Sequence, residues 1–308
     1  MNLSIIGMGG VGGYFGGKLA QLLKDDKNMN INFIARGRHL EEIQKNGLIL
    51  DADGAEMVCR PSLATDRIQD LPPQDLCLVC VKAYDLDNAM RLIKPRIKDS
   101  TMLLPILNGV DIYERIRAVI SNGIVFPSCV YIGTHIEKPG KVVQKGGAGT
   151  IIFGKDPAND FTPEVVFDLF NKAGIKYKWT KDPYAEIWGK YVFIASFGLV
   201  SADSGKTLGE ILRSAELSKS VGNIMAEIVE IAGRKRIDLP KNIIEDTFAK
   251  AKTFPAETKT SFQRDFEASG KPDERDLFGG AVIRMGKLSG AKTEATEAVY
   301  RSIMEKKP

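Results

Sequence analysis

Gly7-Met8-Gly9-Gly10-Val11-Gly12 sets glycines at the first, third and sixth places of a loop between an apolar run, 3–6, and a helix-like stretch, 14–23. Between a strand and a helix, that spacing suits a dinucleotide. The first glycine permits the tight turn, the second lets the backbone approach the pyrophosphate, and the third lets helix and strand pack closely. The pyrophosphate then rests on the unpaired N–H groups of the helix's first turn. The second apolar run, 31–35, ends in Arg36-Gly37-Arg38, with no carboxylate between Asp26 and Glu41. A site that prefers NAD carries an acidic residue here for the ribose 2′-OH. A guanidinium suits a 2′-phosphate, so the expected cofactor is NADP(H), with Arg36 as the main contact. Farther on, Lys190 is the sole charge in Trp188-Gly189-Lys190-Tyr191-Val192-Phe193-Ile194-Ala195-Ser196-Phe197. Helical spacing puts it beside Glu186, Ile194 and Phe197. A lysine in apolar surroundings costs free energy unless its head escapes or finds a partner. Desolvation lowers its pKa and makes it a usable proton donor. A lysine snorkelling at a domain seam fits the same residues equally well.

The elements that must hold these groups alternate in the first half. Strand-like runs at 3–6, 31–35, 57–59, 76–81, 101–104 and 125–130 alternate with helical patterns at 14–23 and 39–45, which argues for a parallel sheet covered on both faces. A hairpin of 142–144 with 150–153 is expected around Gly146-Gly147. Thr162-Pro163-Glu164 starts a helix that ends near Gly174, followed by a last strand at 175–179. Asp182-Pro183 is another capped start, after which strand signals nearly vanish. Helical segments fit 183–200, 208–235, 241–252, 276–287 and 291–306. The expected organisation is an α/β Rossmann-type dinucleotide-binding domain, 1–181, followed by an all-α domain, 182–308. No internal repeat is evident.

Composition excludes several classes. The 308 residues suffice for two domains. Hydrophobic residues at 44% and charged residues at 27% are ordinary for a soluble protein. A net charge of +4 is too small to argue for nucleic acid or an anionic membrane. Four sparse cysteines suggest reduced thiols in the cytoplasm. Cys77 and Cys80 form a CxxC, but in a strand they point to opposite faces and read as structural. No basic segment and apolar core mark a signal peptide. The longest apolar run, 191–200, is too short to span a bilayer. No His/Cys/Asp cluster has metal-ligand spacing, so no metal is expected.

In order and spacing, several landmarks resemble the ketopantoate reductase (2-dehydropantoate 2-reductase) family: the loop Gly7 to Gly12, Ala35-Arg36-Gly37, Val81-Lys82-Ala83, Asn108-Gly109, Trp188-Gly189-Lys190, and Thr260-Ser261 through Asp265 to Glu274. The likeness covers nearly the whole chain. It implies NADPH-dependent reduction of a 2-oxo acid, 2-dehydropantoate to pantoate, a step of pantothenate and coenzyme A biosynthesis. By this resemblance Gly7, Gly9 and Gly12 cradle the pyrophosphate, Arg36 takes the 2′-phosphate, and Lys82 lies near that phosphate or its ribose. Asn108 holds the nicotinamide ribose near the reaction centre and the substrate. Lys190 is the catalytic lysine, Glu274 binds substrate and positions Lys190, and Ser261 contacts the substrate carboxylate. Placing Glu274 needs one inserted residue. The resemblance also implies a homodimer through the helical domain. The family usually carries asparagines four and eight residues after its lysine; here Ile194 and Gly198 stand there, with Ser196 between them. A related dehydrogenase acting on another 2-oxo acid, a polyol or an opine, and a non-catalytic NADP-binding protein, are the competing readings.

Overall fold

In the computed structural model, residues 1–268, 270 and 272–306 are described. Their contacts divide into two units, Met1–Asn108 with Ile112–Pro183, and Gly109–Asp111 with Tyr184–Pro308.

The first unit contains, in chain order, β1 (Asn2–Ile6), α1 (Gly10–Leu23), β2 (Asn30–Ile34), α2 (Gly37–Asn46), β3 (Leu48–Ala52), β4 (Ala55–Cys59), β5 (Leu63–Thr65), β6 (Leu76–Val79), α3 (Leu86–Ile93), β7 (Met102–Pro105), α4 (Ile112–Val119), β8 (Ile124–Val125), β9 (Ser128–Tyr131), β10 (Thr134–Lys138), β11 (Lys141–Gln144), β12 (Thr150–Gly154), α5 (Glu164–Lys172) and β13 (Tyr177–Thr180). Six strands form a parallel sheet in the order β5-β2-β1-β6-β7-β8. β6 and β7 are buried along their whole lengths, as strands covered on both faces must be. The order reverses on either side of β1, so the loops after β2 and β6 flank the loop after β1 at the sheet's carboxyl edge.

A second sheet, β10-β11-β3-β4, explains the extra glycines of α1. A Cβ on Gly13 would lie 2.5 Å from Val142, and one on Gly17 would lie 2.8 Å from Leu50. The helix thus lies against β11 and β3 on its glycine face, while Phe15 and Leu19 are fully buried in the main core. A third sheet, β13-β12-β9, stacks Phe153, Phe167, Phe170, Tyr177 and Trp179 in one aromatic cluster.

The second unit has no strand among its described residues. Its helices are α6 (Tyr184–Ser204), α7 (Leu208–Arg213), α8 (Ala215–Arg234), α9 (Ile243–Ala251), α10 (Ser261–Glu267), α11 (Ala281–Ser289) and α12 (Glu294–Lys306), with one π-helical turn, Asp276–Gly280, leading into α11. α6 packs against α7, α8, α9, α10, α12 and the π turn. That central place accounts for a helix apolar nearly all round.

Three sequence expectations are corrected. Residues 142–144 and 150–153 form no hairpin with each other: β11 pairs β10 and β3, and β12 pairs β9 and β13. The expected helix 208–235 breaks at Ser214, whose hydroxyl accepts from Leu217 N–H and caps α8. The expected strand 125–130 splits into β8 and β9 around Pro127, which has no N–H to donate.

Candidate functional site

The glycine loop of the first unit is set by steric limits that only glycine meets. Gly7 has φ +102°, and a Cβ there would lie 2.8 Å from Val81 N and 2.9 Å from the Cys80 carbonyl. The Gly7 and Met8 N–H groups both donate to Ile34 O, at 3.2 and 3.0 Å. The loop is therefore pinned between the ends of β2 and β6. A Cβ on Gly12 would lie 1.9 Å from Gly7 O, so α1 packs directly on the loop. A Cβ on Gly9 would meet nothing within 4 Å. Gly9 is the N-cap of α1 and has no side-chain cap, so the first-turn N–H groups remain for an anion. Gly10 and Val11 are half-buried in that turn, whereas the Met8 side chain is 3% exposed and belongs to the core, leaving only its backbone at the loop. This loop, tight below and open above Gly9, fits a dinucleotide pyrophosphate.

Two flanking loops carry charge. Arg36 leaves the end of β2 with a 62% exposed side chain, and its Nη1 lies 3.4 Å from Asp85 Oδ2. Lys82 is half-buried and caps the short turn Ala83–Asp85 after β6, where Asp85 N–H donates to Lys82 O. Asn108 is half-buried, two residues beyond the Ile106 that follows β7. His39, in the first turn of α2, lies against the Met8 backbone, and its Nδ1 accepts from Gly140 N–H at 2.9 Å. Burial lowers its pKa below the ordinary histidine value, against a smaller opposing effect of the Met8 backbone. Asp85 and His39 each stand three residues after a residue the sequence singles out, Lys82 and Arg36; no spacing rule marks them.

In the second unit Lys190 is 9% exposed and Glu274 is 4% exposed. The next residue on α6, Tyr191, donates its hydroxyl to Leu277 O at 2.6 Å. That bond ties the turn carrying Lys190 to the segment that follows Glu274. The π turn there has the local form that recurs at functional positions. Ser261, the first residue of α10, is exposed. Its neighbour Thr260 caps the helix by accepting from Gln263 N–H, and its hydroxyl shares a 2.8 Å hydrogen bond with Ser201 of α6.

At the two positions where the resemblance leads one to expect amides, the residues are apolar. Ile194 is half-buried one turn beyond Lys190. Gly198 is buried, and a Cβ there would lie 3.6 Å from the Phe262 ring. Ser196 does not replace the missing amides: its hydroxyl donates to Val192 O at 2.6 Å, within α6 itself. A side-chain amide absent from the sequence reading is Gln263 of α10. It is fully buried, its Nε2 donates to Glu267 Oε1, and its Oε1 accepts no hydrogen bond among the described residues.

Residues 3–158 match the ketopantoate reductase PanE/ApbA family, and residues 182–307 match its C-terminal domain. The chain belongs to the ketopantoate reductase family. It is thus a member of an oxidoreductase family that binds a nicotinamide dinucleotide. Among relatives, it is 29% identical to a 2-dehydropantoate 2-reductase of Mesorhizobium japonicum, over 97% of this chain and 95% of that one. It is 25% identical to YkpB, an uncharacterized oxidoreductase of Bacillus subtilis, over 98% of both. Among solved structures, a PanE/ApbA family ketopantoate reductase from Ralstonia eutropha superposes with TM-score 0.89 at 24% identity, covering 99% of this chain and 98% of that one. A D-mandelate dehydrogenase, solved with NADH and anilino(oxo)acetate, superposes with TM-score 0.85 at 20% identity, covering 99% and 98%. At these identities the two superpositions show the family's fold, an α/β unit followed by a helical one. No helix among the described residues is long and apolar enough to cross a membrane, and no described cluster of His, Cys, Asp and Glu could hold a metal ion.

Proposed function

We propose that this chain reduces a small 2-oxo acid to the 2-hydroxy acid with NADPH, and that 2-dehydropantoate is the first substrate to try. The observation that carries this reading is a buried lysine on the central helix of a chain whose other unit holds a sterically fixed glycine cradle. When bound, the dinucleotide supplies the hydride. The backbone of Gly7, Gly9 and Gly12 receives the pyrophosphate, Arg36 and Lys82 receive the 2′-phosphate, and Asn108 orients the nicotinamide ribose. Lys190 Nζ donates a hydrogen bond to the substrate's 2-oxo oxygen. As negative charge builds on that oxygen, the ammonium stabilises it and then gives it a proton. Burial strengthens this interaction, because water competes little for a group 9% exposed. Glu274 holds Lys190 in place and receives the hydroxyl side of the substrate, and Ser261 meets its carboxylate.

A second reading keeps the cofactor and chemistry and changes the acid. Ile194, and Phe262 packed behind Gly198, present hydrocarbon where an amide would meet a polar substrate group. A substrate hydroxyl left without a partner there costs about 1–3 kcal/mol, roughly 5- to 160-fold in specificity. A 2-oxo acid with an apolar or aromatic group, similar in outline to the anilino(oxo)acetate bound in the D-mandelate dehydrogenase structure, avoids that loss. Steady-state oxidation of NADPH by the purified chain, with 2-dehydropantoate beside apolar 2-oxo acids and an NADH control, decides the matter. High kcat/KM for 2-dehydropantoate supports the first reading, and a preference for an apolar acid supports the second. Tight NADPH binding with no turnover on any 2-oxo acid would overturn both.

A further inference from the structure

The acidic residue absent from the end of β2 has a counterpart in the turn that follows another strand, β6. In this sheet β2 and β6 lie on either side of β1, so the loops that follow them border the glycine cradle from opposite sides. Arg36 comes from the β2 loop. Asp85 comes from the turn after β6, and its carboxylate lies 3.4 Å from the Arg36 guanidinium. Both side chains are open to solvent, Arg36 at 62% and Asp85 at 33%, so either is free to meet a ligand at the cradle's rim. The Asp85 backbone is held in place, since its N–H donates to Lys82 O at 2.9 Å and it leads directly into α3 at the N-cap position, with its carboxylate not used as a cap.

We infer that Asp85 is a specificity-determining residue for the dinucleotide, one that competes with a 2′-phosphate for Arg36 and serves as an acceptor for an unphosphorylated ribose 2′-OH. The inference rests on the reading that the glycine loop binds a dinucleotide. A 2′-phosphate carries roughly −1.5 to −2 charges at neutral pH. To reach Arg36 it must displace or tolerate the carboxylate already paired there, and the two anions repel. A ribose 2′-OH meets no such repulsion and finds in Asp85 the carboxylate that a site preferring NAD usually supplies from β2. Arg36 alone would make the site strongly selective for NADPH; Arg36 paired with Asp85 narrows that selectivity and lets both dinucleotides bind. Lys82, on the same turn, keeps positive charge at the rim when Asp85 takes part of that of Arg36.

Direct binding tests this without turnover. Dissociation constants for NADPH, NADH and 2′,5′-ADP are measured by calorimetry for the wild-type chain and for Asp85→Asn, at low salt and at high salt. Removing the carboxylate should tighten NADPH and 2′,5′-ADP by about 3- to 10-fold and weaken NADH by about 3-fold, moving the ratio of the two dinucleotides about 10- to 30-fold. The gain should shrink at high salt, because the opposing charges face solvent. A purely structural role for Asp85 would shift all ligands together, so an unchanged ratio overturns the inference while leaving the dinucleotide site intact. A wild-type chain that binds neither dinucleotide overturns both.

Discussion

The glycine cradle and the face of α6 around Lys190 are built by opposite means. The cradle is backbone: Gly7 at positive φ, Gly12 with no room for a methyl group, Gly9 open to a ligand. The α6 face is side chain: a buried lysine, a half-buried isoleucine and a glycine backed by a phenylalanine ring. Backbone sites tolerate few residue types, so their chemistry survives as a spacing of glycines. Side-chain sites accept one residue for another without disturbing the helix, so they alter their ligand while the fold persists. This contrast explains how a chain can hold a glycine loop of fixed spacing while the positions four and eight residues after Lys190 carry no amide.

The largest effect expected is on the side-chain site. Lys190→Ala should lower kcat by about 10²–10⁴ while the NADPH dissociation constant stays within about twofold, measured by turnover and by binding on the same preparation. Equal loss of binding would break the proposed separation between cradle and lysine. Next in size is the cradle: Gly12→Ala places a Cβ 1.9 Å from Gly7 O and should cost about 1–3 kcal/mol of stability and weaken NADPH by tenfold or more, read by thermal melting and calorimetry. The same substitution on α6 should act oppositely. At Gly198 a Cβ would meet Phe262 at 3.6 Å, an ordinary contact, so Gly198→Ala should raise stability by about 0.5–1 kcal/mol through helix propensity. A drop in melting temperature there would erase the difference between the two glycines.

The smallest effect concerns His39, which supports the cradle from below. Burial lowers its pKa in the folded chain, so the fold favours the neutral ring that accepts from Gly140. The unfolded chain then takes up a proton more readily. Stability contributed by the neutral ring is present above the ordinary histidine value, about 6.5, and falls as pH drops below it toward the folded value. His39→Asn keeps an acceptor near Gly140 and removes the titration. Melting curves from pH 7.5 to 5 should therefore differ by at most about 1 kcal/mol, with the flatter profile in the variant.

The sequence reveals those parts that depend on local rules. Alternating apolar runs and helical patterns foretell the parallel sheet, and glycine spacing foretells the loop at the carboxyl end of β1. Ser214 could have been read as a cap that splits 208–235, since serine at that place accepts from the third N–H of the next helix. Strand partners could not be read: 142–144 and 150–153 are close in sequence and rich in turn glycines, but β11 pairs the strand before it, β10, and the distant β3, while β12 pairs β9 and β13. The same holds for the site. Arg36 was legible from its place after β2, whereas Asp85 is significant only because β2 and β6 flank β1. Phe262 matters only because α10 packs on α6, and Gln263 only because burial leaves its amide oxygen without a donor.

Transfer of a labelled hydride separates a 2-oxo acid reductase from a protein that only binds NADPH. The chain is incubated with NADPH carrying deuterium at the transferable position of the nicotinamide, and with 2-dehydropantoate and the apolar 2-oxo acids in parallel. Hydride transfer assisted by Lys190 should give a 2-hydroxy acid with one deuterium on carbon 2, a product lost in Lys190→Ala. NADPH that binds tightly but yields no labelled hydroxy acid from any of these substrates would contradict it.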